Sequence, residues 1–141
     1  MGLVNFGFKK ISAERIKDNI KGAQAKQDLV LKNIGFRPVG KNKDELIELE
    51  FVMSVEYNPG IAKLVLEGVA TFVESAENTA LLKESYKKTK KLPAKWGLNM
   101  LNIVLIRSNI KLLALEQEIN VPPHMQMPTL GAKAKVSDYI G

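Results

Sequence analysis

The sequence predicts an α+β domain: a four-stranded antiparallel sheet, then a short helix, then one long helix packed on the sheet. Two observations carry this. From Glu45 to Glu74 apolar and polar residues alternate through two runs separated by Asn58-Pro59-Gly60. From Ala94 to Asn120 no proline interrupts an apolar stretch, with Pro93 before it and Pro122-Pro123 just beyond. Alternation means a strand with one buried and one wet face, and proline bounds a helix without entering its middle. Strands first and helices last make the α+β arrangement.

The chain has 141 residues, 45% of them hydrophobic and 26% charged, with a net charge of +6. That is enough for one domain with a real core, spanning residues 1–141. Cysteine is absent, which excludes disulfides and thiolate metal sites. The N-terminus, Met-Gly-Leu-Val-Asn-Phe-Gly-Phe-Lys-Lys, has no charged segment followed by an apolar one, so a secretory signal is not expected and the cytoplasm is.

Val4 to Lys17 reads as a first strand whose period slips near Lys10, the mark of a bulge. Asp18 to Lys26 is polar and connects it to a second strand, Gln27 to Phe36, with Val30, Ile34 and Phe36 expected on one face. In the third strand Ile47, Leu49, Phe51, Met53, Val55 and Tyr57 share a face. In the fourth, Leu64, Leu66, Gly68, Ala70 and Phe72 do so. Ser75 or Asn78 suits the N-cap of a short basic helix over Thr79 to Lys91. The tail from Val121 to Pro128 is held extended by its prolines, and residues 131–141 read as a flexible end.

The long helix would span roughly 35–40 Å. Ile103-Val104-Leu105-Ile106 alone would also suit a buried strand, but the proline-free length favours a helix. Its apolar residues cover most of the circumference, so more than one side must be covered. A membrane span is not expected, because Asn99, Asn102, Arg107, Asn109 and Lys111 interrupt it. One side belongs on the sheet. The other is expected at a subunit interface, with Leu98, Leu101, Val104, Leu105 and Leu112 as candidates, in a homo-oligomer of two or four chains.

Catalytic chemistry finds little support. His124, the single histidine, sits among prolines and methionines and reads as an exposed or packing residue. Glu48, Glu50 and Glu56 suit a wet sheet face better than an acid–base pair, and no glycine-rich phosphate loop occurs. No enzyme, cofactor or metal is therefore expected. Two features point to binding. Lys83, Lys87, Lys88, Lys90, Lys91 and Lys95 surround Tyr86 and could meet a phosphate backbone, which makes nucleic acid the secondary partner. Met100, Met125 and Met127 come with Trp96 and the tail prolines, and Phe51, Met53 and Tyr57 of the third strand are further candidates. Methionine adapts to varied sequences, so these seven residues are the candidates for a groove taking extended peptide.

Particular motifs add to this. Tyr57, Pro59 and Gly60 form a Tyr-x-Pro-Gly hairpin, and Leu66, Gly68, Ala70 and Phe72 a Leu-x-Gly-x-Ala-x-Phe strand. Leu92-Pro93 makes a step, Leu-Asn-Met-Leu-Asn opens the long helix, and Pro122, Pro123, Met125, Met127 and Pro128 make the tail. From Ile47 to Leu130 this order resembles the SecB-like chaperones, including divergent archaeal and toxin–antitoxin-associated members. The resemblance implies a dimer of dimers that holds unfolded or nascent polypeptides in apolar grooves without ATP. The bacterial export chaperones of that group are acidic with an acidic tail. This chain is basic and lacks one.

Overall fold

The structure is a computed structural model and describes residues 2–40 and 44–131. Four strands, β1 (Gly2–Arg15), β2 (Gln24–Pro38), β3 (Glu45–Asn58) and β4 (Ala62–Glu74), precede two helices, α1 (Ala76–Thr89) and α2 (Ala94–Glu118). The sheet is antiparallel, in the order β1-β4-β3-β2. The tail expected to be flexible lies, beyond Gly131, outside the described residues.

The β3–β4 hairpin forms the centre. Its inner face, from Ile47 to Tyr57 on β3 and from Leu64 to Phe72 on β4, is buried at every second residue. Gly60 takes a φ of +60° in the connecting turn, which glycine adopts without steric cost. Gly68 serves a different need. A Cβ there would lie 2.6 Å from the Gly7 carbonyl oxygen and 2.8 Å from Phe51 Cζ. Its absence lets the Phe51 ring lie over β4, where it stacks on Phe6 at 5.5 Å and meets Phe8 edge-on at 6.3 Å.

The outer strands carry bulges. β1 shifts register between Phe8 and Lys10, where the sequence pattern slips, and again between Leu3 and Asn5. β2 shifts between Leu31 and Asn33. The bulge in β2 corrects one expectation. Leu29 and Leu31 face inward before it, and Ile34 and Phe36 after it. Val30, opposite Val52, therefore sits on the outer face and is exposed.

α1 starts at Ser75, whose hydroxyl accepts from the Asn78 N–H at 3.3 Å. The Glu74 carboxylate accepts from the Ser75 N–H at 2.9 Å and from the Asn78 amide at 3.2 Å. Leu82 anchors the helix to the core, and Lys83 reaches Glu45 at 2.8 Å while lying over the Phe36 ring.

α2 lays Gly97, Met100, Val104, Ser108, Leu112 and Leu115 on the sheet, a row at steps of three and four residues. Burying each large apolar side chain of such a row is worth about 1.5–3 kcal/mol. By length and composition α2 could also cross a membrane, but this row packs on the chain's own strands. Two apolar clusters result. Met100 and Val104 join Ile47, Leu49, Phe51 and Phe72; Leu112 and Leu115 join Met53, Val55, Tyr57 and Leu64.

Candidate functional site

Val104 and Leu112 are fully buried against the sheet, so the expectation that they form a subunit interface is corrected. The apolar residues α2 turns outward are Leu98 (62% exposed), Ile106 (59%) and Ile110 (66%), with Leu101 and Leu105 half-buried at the flanks.

A similar sorting applies to the residues expected to line a peptide groove. Phe51, Met53, Tyr57 and Met100 are at most 1% exposed. They fill the space between sheet and helix and offer no surface in this conformation. Trp96 is half-buried against the cluster that holds Met100 and Val104, while Met125 and Met127 are exposed on the tail.

Concave apolar surface lies on both flanks of α2. On the β2 side a cavity of about 420 Å³ opens between the end of α1 and the start of α2. Leu31 and Ile34 of β2 line it, with Tyr86 of α1, Leu92 of the step, and Gly97, Leu98 and Leu101 of α2. Lys90 and Lys91 stand at its edge. Gly97 is close to Leu92, whose Cβ would be 3.3 Å from an added Cβ, so the step and the helix press together there. On the β1 side a second cavity of about 430 Å³ is bordered by Phe6, Phe8, Arg107 and Ile110. Arg107 covers the Phe6 ring at 5.4 Å. These are the dimensions of a site for a small ligand or a few peptide side chains.

Past α2 the tail is fastened by a buried polar network. Asn120 ends the helix with a φ of 57° and the Val121 N–H returns to the Glu116 carbonyl at 3.0 Å, a left-handed cap. The Glu116 carboxylate, 1% exposed, accepts from the His124 backbone N–H at 3.0 Å and lies 2.7 Å from His124 Nδ1. His124 Nε2 is 3.0 Å from Asn109 Oδ1, which also accepts from Gln27 at 2.7 Å. The Tyr57 hydroxyl donates to the Pro122 carbonyl. Burial, then the charge of Glu116 and a hydrogen bond with it, hold the Tyr57 phenol well above its ordinary value. His124 is thus a packing residue in a fully hydrogen-bonded setting. The buried Glu116 was the missed signal: a carboxylate inside Leu-Leu-Ala-Leu-Glu-Gln needs a partner.

The six lysines of the basic cluster do not act alike. Lys83 pairs with Glu45, and Lys88 with Glu84 at 3.0 Å. Lys90 lies 5.5 Å from the Tyr86 ring centre. Among the described residues Lys87, Lys90, Lys91 and Lys95 have no carboxylate partner. Glu48, Glu50 and Glu56 lie on the outer sheet face against Arg37, Lys9 and Lys63, at 2.8, 3.8 and 3.7 Å.

No family model matches this chain, and no curated protein matches it by sequence. Among solved structures it superposes on the SecB-like chaperone Rv1957 of Mycobacterium tuberculosis, determined in complex with a ChAD peptide from the Rv1956 HigA1 antitoxin. The TM-score is 0.53 at 10% identity, over 94% of this chain and 91% of the other. The fold is SecB-like. The four-stranded antiparallel sheet followed by two helices, expected from the strand pattern and the proline stops, is the arrangement that superposes.

Proposed function

We propose that this SecB-like chain is an ATP-independent holdase that binds non-native polypeptides along the apolar flanks of α2. The observation that carries the proposal is the pair of open apolar cavities on either side of a helix whose outward residues are Leu98, Ile106 and Ile110. A helix covered on one side only leaves surface that an extended chain can bury. The SecB-like fold and the peptide bound to the Mycobacterium protein support the same reading. Cytoplasmic work, in export or in toxin–antitoxin control, fits such a role.

We further propose self-association. Ile106 and Ile110 are exposed one turn apart on α2, and a second copy related by a twofold axis would bury the same residues against themselves. The β2-side cavity, which neither residue lines, would remain for clients.

The test is aggregation of an unfolded model protein in the presence of stoichiometric amounts of this chain. Suppression without nucleotide supports the proposal. A folded preparation that leaves aggregation unchanged overturns it.

A further inference from the structure

We infer that the cavity between α1 and α2 prefers apolar peptide segments flanked by aspartate or glutamate. This rests on the client-binding reading and names the class of client.

The cavity joins two unlike surfaces. Its floor is apolar, from Leu31, Ile34, Leu92 and Leu101. Its edge carries Lys90 and Lys91. The Lys90 ammonium is held over the face of Tyr86, which lines the same cavity, so its charge stays at the mouth. From residue 83 to 95 there are six lysines and one glutamate. The two ion pairs described above engage Lys83 and Lys88. Lys90 and Lys91, the two cations that line the opening, are thus in none of the ion pairs among the described residues.

The local backbone gives only a partial reason for them. Lys87 and Lys88 lie in the last turn of α1, where a cation complements the helix dipole. Lys91 lies past that helix. Lys95 stands in the first turn of α2, which has no acidic residue, at the end where the dipole disfavours a cation. It follows Ala94, which lines the opening, so its charge adds to the positive potential nearby. A segment whose apolar side chain enters the floor would bring its neighbours to this edge. Carboxylates there meet unpaired ammonium groups, and lysine or arginine is repelled. Such charge matching sets preference between partners more than raw affinity.

The test uses labelled peptides that share one apolar segment and are flanked by aspartates, serines or lysines. Fluorescence anisotropy reads their affinities for the full chain. The aspartate-flanked peptide should bind about tenfold more tightly than the lysine-flanked one, and the gap should close as salt rises. In Lys90→Gln/Lys91→Gln the gap should shrink while the serine-flanked peptide binds as before. Leu101→Asp, at the floor, should weaken all three. Equal binding, or tighter binding of the lysine-flanked peptide, overturns this inference and leaves the holdase proposal standing. No binding of any peptide by the folded chain overturns both. A single-stranded RNA that displaces the aspartate-flanked peptide, with affinity lost in Lys90→Gln/Lys91→Gln, overturns it in favour of phosphate recognition.

Discussion

Glu116 and His124 meet across the end of α2 with both side chains 1% exposed, the carboxylate taking the histidine backbone N–H at 3.0 Å while facing its ring at 2.7 Å. A tail that follows the last helix is thereby tied into the structure at the residue just after Pro122 and Pro123. Glu116→Ala leaves a buried N–H and ring nitrogen without their acceptor, a loss of about 1–3 kcal/mol. Thermal unfolding should show the drop. Limited proteolysis should cut near Met125 in the variant and spare the parent chain.

Gly68→Ala should destabilise the sheet. The added Cβ would press on the Gly7 carbonyl, which is backbone, and on the Phe51 ring, which is locked by Phe6 and Phe8. Overpacking of this kind costs about 1–3 kcal/mol. Urea unfolding measures it, and a double variant Gly68→Ala/Phe51→Leu should recover part of the loss.

Tyr57 gives a pH dependence with a definite sign. Its phenol is raised in the folded chain, while in the unfolded chain it ionises near its usual value of about 10. Above that pH the unfolded chain has released a proton that the folded chain retains. Stability therefore falls as pH rises, by up to about 1.4 kcal/mol per pH unit from this group. Denaturant unfolding between neutral and strongly alkaline pH should show the slope, and Tyr57→Phe should flatten it.

Two substitutions on α2 should behave in opposite ways. Ile106→Glu changes an outward residue and should reduce the mass seen by light scattering while circular dichroism stays unchanged. Val104→Glu buries a charge among Ile47, Leu49 and Phe72 and should unfold the chain. A parent chain that is already monomeric at micromolar concentration would remove the self-association proposal.

The sheet was legible because its signals are local. Alternation from Glu45 to Tyr57 shows which face is inside, and the slip near Lys10 shows a bulge. The β2 bulge was not legible, because Val30, Ile34 and Phe36 share parity and Lys32 gives no sign of the extra residue. The facing of α2 was misread for a related reason. Apolar residues surround it, so Val104 and Leu112 could be assigned to either side. The small residues held the answer: Gly97 and Ser108 sit in the same row as Met100, Val104 and Leu112, where helix and neighbour press closest. Of the cavity's lining, the sequence singled out Lys90 and Lys91 for nucleic acid and Leu98 and Leu101 for a subunit interface, not for a peptide. The cavity was not, since it needs β2 brought beside the Leu92–Pro93 step.

The strand order also governs how this chain comes into being. β1 precedes the other three strands, yet among the described strands its partner is β4, with Gly2 opposite Val73. β2 likewise waits for β3. On a ribosome β1 emerges with its partner strand still to be made until β4 follows, and pairing of distant segments is slow. A protein proposed to shelter unfinished chains thus passes through a period when it is one itself. Pulse-labelled amide exchange during refolding should protect β3 and β4 before β1.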